Sequence, residues 1–321
     1  ARAAALAGPR RRPAVLGPLR DEGMLEALGA NRWSGTGLEI LVGCGVRWLV
    51  ERWLRPGSIE PDPEPMVRGS LAHRLLEEVL RGLAAGAPRP LRPDDLPAAR
   101  AALRRALDEH AAAYPISHDA QRLRAHLRRL EADLDRLLAH AVGAGSAFAP
   151  AHFEVAFGRE DDPLPALDLG EGLRLHGTID RVDVDGAGRA LVYDYKGRAG
   201  VPGAGWIERR ALQVGLYLRA AEQLLGLDPV GGFYQAYRDD ELRPRGAVIE
   251  GVDPGLATVN GDAVDEATFR ALLDDVVAVA REAVAELRTG VLAARPASCA
   301  FGSGPATRCA HPTICRTETA A

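Results

Sequence analysis

A chain of 321 residues, 47% hydrophobic and 26% charged, has the composition of an ordinary globular protein, long enough for one large core or two small ones. No apolar run approaches the roughly 20 residues of a membrane-spanning helix, and the Arg-rich N-terminus lacks the apolar core of a secretion signal. Membrane and secreted classes therefore drop out and a cytoplasmic setting is expected; the net charge of −4 excludes a uniformly basic nucleic-acid binder, but not a local basic track beside an acidic site.

Residues 1–33, rich in Arg, Ala, Gly and Pro, read as a leader or linker, and the start at Ala rather than Met suggests a piece of a longer polypeptide. A single domain is expected over 34–321. Its first helix signal is the capping-box pattern Thr36-Gly37-Leu38-Glu39, followed by an apolar run through Leu54 that contains Cys44. After a Pro- and acid-rich loop over 56–65, a second helix from Met66 carries Gly69, His73, Leu76 and Val79 at helical spacing. Residues 94–143 read as two Arg- and Leu-rich helices broken near Pro115, part of a helical insertion over 85–150. Arg122, Arg124, Arg128 and Arg129 fall on the second of them. They form either a solvated face or a nucleic-acid track.

The pattern then changes. Phe153 to Phe157 alternates as a strand, and Leu173 to Val184 and Ala190 to Lys196 read as strands joined by the turn Asp185-Gly186-Ala187-Gly188. A helix is predicted from Ile207 to Leu225, strands over Gly232–Tyr237 and Ala247–Gly251, and a long helix from Glu266 to Arg288. A Cys-containing tail follows over 291–321. This order of elements implies an α/β sheet core with helical elaborations.

The chemistry concentrates in Gly177-Thr178-Ile179-Asp180-Arg181-Val182-Asp183 and Val192-Tyr193-Asp194-Tyr195-Lys196. Residues two apart on a strand share a face, so Asp194 and Lys196 project together into space that Asp180 can reach from the neighbouring strand. Carboxylates are hard ligands suited to Mg²⁺ or Mn²⁺, and a nearby lysine can orient a nucleophile or neutralise developing charge. An isolated D-x-K is more often a strand end with a surface ion pair. His73 lies on a helix face where neutral imidazole can ligate a metal or serve the core. Gln213 and Tyr217, at i and i+4, share one helix face, either as a hydrogen-bonding and stacking pair for a nucleotide or as the edge of a core.

Taken together and in this order, the motifs resemble the RecB-like branch of the PD-(D/E)XK nuclease superfamily. Its G-x-x-x-H helix matches Gly69 to His73, its G-x-x-D strand Gly177 to Asp180, its D-x-K strand Asp194 to Lys196, and its Q-x-x-x-Y helix Gln213 to Tyr217. The resemblance implies a restriction-endonuclease-like mixed sheet flanked by helices. It implies that His73, Asp180, Asp194 and the backbone carbonyl of Tyr195 bind Mg²⁺ or Mn²⁺, and that Lys196 is catalytic. Glu154 resembles an acidic residue often present on the preceding strand. Gln213 and Tyr217 would contact DNA, expected to be single-stranded.

The four cysteines fit the same resemblance: Cys44 within the first helix, and Cys299, Cys309 and Cys315 in the tail, are placed like the ligands of a [4Fe–4S] cluster in AddB-type members. C-x9-C stands where the usual pattern has C-x2-C, which leaves zinc as an alternative. The expected role is DNA end processing in recombinational repair, with a helicase in the same polypeptide or as a partner, since no G-x-x-x-x-G-K-[ST] loop occurs here. A stand-alone nuclease of the CRISPR-adaptation type and a catalytically silent DNA-binding scaffold are the alternatives.

Overall fold

The computed structural model describes residues 18–29, 32–55, 64–86, 88–198, 200–255 and 261–293. They fall into two compact units: one gathers the described residues before 58 and after 277 with 168–174, the other those of 58–167 and 175–277.

In the first unit, helix α1 (Glu22–Gly29) precedes helix α2 (Gly35–Gly43). Ser34, not Thr36, caps α2, its Oγ accepting the Gly37 N–H at 3.0 Å. Cys44, expected within the first helix, lies outside it. It interrupts the segment in an extended conformation (φ −168°, ψ 114°), after which the chain coils again as Gly45–Trp48 and a π-helical Leu49–Leu54. Trp33 packs on Trp48 with ring centroids 5.1 Å apart, and both are buried.

The second unit is a mixed sheet covered on both faces by helices, as the sequence led us to expect. Helices α3 (Glu64–Leu83), α4 (Leu96–His110) and α5 (Ala120–Gly143) join in one apolar core through Leu71, Leu75, Leu103, Leu134 and Leu137. Phe153 and Tyr195 extend that core onto the sheet. The main strands are β1 (Ala149–Phe157), β2 (Arg174–Val184), β3 (Arg189–Lys196), β4 (Asp228–Ala236), β5 (Arg245–Ile249) and β6 (Ala263–Val264). They lie side by side in that order; β1–β2, β2–β3 and β4–β5 are antiparallel, β3–β4 and β5–β6 parallel.

The parallel β3–β4 pair needs a crossover, and helix α6 (Gln213–Leu225) supplies it. Its Val214 and Leu218 press so closely on Gly232 of β4 that a Cβ there would lie 2.6 and 2.7 Å from them, which explains a glycine in a central strand. Gly215 of α6 packs on Val276 of helix α7 (Glu266–Arg288). The helix expected from Ile207 breaks at Arg210, whose φ of +58° is left-handed, so α6 starts only at Gln213. Among the described residues no helix is long and apolar enough to cross a membrane.

Candidate active site

Register across the sheet builds a row of acids. The pairs Phe153↔Arg181 and Val155↔Ile179 set Glu154 of β1 opposite Asp180 of β2, and Arg181↔Tyr193 sets Asp180 beside Asp194 of β3. Asp194 in turn pairs with Tyr234 of β4. Opposed residues on neighbouring strands share a face, so three carboxylates from three strands line up. Asp194 and Asp180 are buried, and Glu154 is about half-buried. Glu154 also takes a left-handed backbone (φ +47°) in mid-strand, a conformation costly for a side chain with a Cβ and typical of functional positions.

Helix α3 brings His73 to this row. Its Nδ1 lies 3.3 Å from Asp180 Oδ1 and 3.6 Å from Glu154 Oε1, and its ring meets Tyr195 edge-on at 6.0 Å. Potential ligand atoms of His73, Glu154 and Asp180 all lie within 4.8 Å of one another. Asp194, the expected third partner, engages Lys196 instead, with Oδ2 2.6 Å from Nζ. Glu154 thus stands closer to the His73–Asp180 pair than its sequence standing implied.

The electrostatics of the row are those of excess negative charge. Burial opposes charging of His73, yet Asp180 and Glu154 raise its pKa to about 10. Burial and then the charge of Asp180 push the Asp194 carboxyl above its ordinary range, against the pull of Lys196 and His73. Burial likewise raises Glu154, with His73 opposing. A divalent cation among these groups would relieve the repulsion. The donor set of three carboxylates and an imidazole therefore fits a hard or borderline divalent ion.

Lys196 is positioned by a chain of contacts. Nζ donates to Gln213 Oε1 at 3.0 Å, and Gln213 Nε2 donates to the Tyr217 hydroxyl at 3.0 Å. That hydroxyl also hydrogen-bonds the backbone of Thr178 on β2. The ammonium lies 5.8 Å from the Tyr234 ring centroid, and the Tyr234 hydroxyl accepts from Val214 N–H in the first turn of α6. The stacking role expected for Tyr217 does not fit this arrangement. Tyr217 is only 4% exposed and its ring abuts Phe157 edge-on at 6.1 Å, so no face is free for a base. The Gln213–Tyr217 pair instead ties α6 to Lys196, with Tyr217 buried and Gln213 partly exposed.

A family profile described as the PD-(D/E)XK nuclease superfamily matches residues 32–316. The chain belongs to this superfamily. No curated protein matches it. Membership makes the sheet a restriction-endonuclease-like fold and the protein a nuclease, an enzyme that hydrolyses phosphodiester bonds with divalent metal ions.

The reverse face of the nuclease sheet holds a feature the sequence reading assigned no role. Arg181 Nε donates to Asp183 Oδ1 at 2.6 Å and Nη2 bonds Oδ2, a bidentate pair with both partners buried. Arg181 Nη1 donates to the Tyr195 hydroxyl at 3.4 Å, and the guanidinium covers the Tyr193 ring at 4.8 Å. The clamp thus spans β2 and β3 directly behind Asp180 and Asp194. The i, i+2 spacing of Arg181 and Asp183 was the available signal, since it puts both on the face opposite Asp180.

Of the four cysteines only Cys44 is described, buried beside the break after α2; Cys299, Cys309 and Cys315 lie outside the described residues. The neighbouring Gly45 N–H donates to the carbonyl of Ala293 at 2.9 Å.

Proposed function

We propose that the protein is a Mg²⁺- or Mn²⁺-dependent deoxyribonuclease of the RecB/AddB type that cuts single-stranded DNA. The observation that carries the reading is the convergence of His73, Glu154 and Asp180 beside the Asp194–Lys196 pair. His73, Glu154, Asp180, Asp194 and the Tyr195 carbonyl would hold the ion, which supplies Lewis-acid polarisation of the scissile phosphodiester and charge neutralisation. His73 must then be neutral to ligate, and the ion's positive charge favours that form over the imidazolium. Lys196, steadied by Gln213, offers its ammonium protons to the attacking nucleophile or to a phosphate oxygen. Asp194, with its burial-raised affinity for a proton, lies within reach of the same lysine.

The order of the four motifs supports a place in DNA end processing during recombinational repair, beside a helicase in cis or in trans. The cysteine set supports a metal-bound tail: Ala293, which accepts from the residue next to Cys44, lies six residues before Cys299. A [4Fe–4S] cluster would bring iron and a brown colour, zinc neither. The test of the whole reading is incubation of the protein with labelled single-stranded DNA, duplex DNA and RNA under Mg²⁺, Mn²⁺ or EDTA. Ion-dependent cutting of single-stranded DNA is expected. Cutting of RNA alone would overturn the substrate assignment.

A further inference from the structure

With Tyr217 buried, the stacking surface for a substrate must lie elsewhere, and one open groove borders the carboxylate row. It has a volume of about 470 Å³ and runs along the outer side of α3, with His73 and Glu154 forming part of its wall. Two of the three residues whose ligand atoms converge therefore belong to this groove as well. Met66, Gly69, Arg74 and Tyr114 line the rest that concerns us.

Each of the four has a property suited to a nucleotide. Met66 is 72% exposed, more than the other exposed large hydrophobic side chains among the described residues, Leu54 and Val291. Its polarisable thioether makes favourable contacts with flat aromatic rings. Tyr114, on the segment after α4, packs its body on the helical core while remaining partly exposed. Gly69 is not there to fit a neighbour: a Cβ built on it would meet nothing nearer than the Tyr237 hydroxyl at 4.0 Å, so its lack of a side chain leaves the groove floor open. Arg74 Nη1 bonds Glu77 at 3.0 Å and Nη2 lies 3.9 Å from Glu78, which still leaves some of the five N–H donors of the guanidinium for a phosphate oxygen.

We infer that this groove holds the nucleotide adjacent to the scissile phosphate, with its base against Tyr114 and Met66 and its strand unpaired. The inference rests on the nuclease reading above and adds to it the residues that select a single strand. Only an unpaired nucleotide can offer a base face to a side chain, because a duplex keeps those faces in its own stack. Continuity with the His73–Glu154–Asp180 cluster selects a nucleic acid over any other occupant. The volume is sufficient for one nucleotide.

The test uses the full chain and the variants Tyr114→Ala, Tyr114→Phe and Met66→Ala. Affinity for a fluorescein-labelled single-stranded oligonucleotide is read by anisotropy in Ca²⁺, which needs no turnover, and hydrolysis of bis(p-nitrophenyl) phosphate is read separately in Mn²⁺. Losing one stacking contact should raise Kd about tenfold in Tyr114→Ala and by a smaller factor in Met66→Ala, with Tyr114→Phe near the parent. Hydrolysis of the small ester should be unchanged in all three, since it has no neighbouring nucleotide. Parental affinity in both alanine variants, or no oligonucleotide binding by the parent, would overturn the groove. A parent that binds the strand through Tyr114 but hydrolyses no ester or DNA would instead overturn the nuclease reading and leave the groove standing. Met66 is on the surface, so Met66→Ala keeps the test open if Tyr114→Ala fails to fold.

Discussion

The backbone N–H of Tyr195 donates to Asp180 Oδ2 at 2.7 Å. The residue between Asp194 and Lys196 thus fixes the carboxylate of the neighbouring strand, leaving Asp180 Oδ1 to face His73 at 3.3 Å. A hydrogen bond to a charged acceptor is among the stronger ones, so the two motif strands orient each other before any ligand arrives.

Metal binding should therefore depend on Asp180 more than folding does. Mn²⁺ at about 100 times its Kd should stabilise the parent by about 2.7 kcal/mol, seen as a rise in Tm. In Asp180→Asn that rise should vanish. The metal-free variant loses a like charge that holds the Asp194 carboxyl up but also the partner that keeps His73 protonated, so its own metal-free Tm is the reference from which the rise is read. Differential scanning fluorimetry with and without Mn²⁺ reads both outcomes; an equal metal-induced rise in the variant would remove Asp180 from the ligand set.

Gln213 should act through Lys196 and not through the substrate. Gln213→Ala should lower kcat on order of ten- to a hundred-fold, the cost of a misplaced catalytic group, with oligonucleotide affinity unchanged. Tyr217→Phe, which removes only the hydroxyl accepting from Gln213 Nε2, should lose less. Steady-state kinetics with a direct binding measurement separate this from a stacking role, in which affinity would fall and kcat persist.

Arg181→Ala should destabilise the fold by about 3–5 kcal/mol at neutral pH, because it leaves Asp183 buried and unpaired. The deficit should shrink in acid. Burial already raises the Asp183 pKa and Arg181 is what opposes the rise, so without Arg181 the folded state keeps a proton that the unfolded chain releases. Folded-state stability then falls as pH climbs from the ordinary carboxylate range, near 4, towards the raised value. Urea unfolding near pH 4.5 and near pH 7.5 should show the larger loss at the higher pH. A pH-independent deficit would mean that the pair contributes through packing alone.

The strands that bear Asp180, Asp194 and Lys196 were legible in the sequence because buried strands with a polar end and an Asx turn are local signals. The turn behaves as read, with Asp185 Oδ1 accepting from Ala187 and Arg189 N–H. Less local facts were not. Ser34 and Thr36 carry the same hydroxyl, and Glu39 makes Thr36 resemble a capping box, so only the backbone distinguishes the cap. Gln213 and Tyr217 were rightly placed on one helix face, but spacing says nothing of whether that face meets solvent or Phe157. The left-handed Glu154 had no signal at all. Nothing about a glutamate in an alternating strand announces φ of +47°; the surroundings impose it.

The central claim is that this carboxylate row and Lys196 together cut a phosphodiester with a divalent ion. The most direct measurement is single-turnover cleavage of an end-labelled single-stranded DNA in Mn²⁺, for the parent and for Asp194→Asn and Lys196→Met. Removal of either member of the pair should lower the rate at least a hundred-fold, on the order seen when one charge-stabilising group is lost from an active site, while both variants keep the parental circular dichroism spectrum. Cleavage by both variants at the parental rate, or parental cleavage that persists in EDTA, would contradict the account.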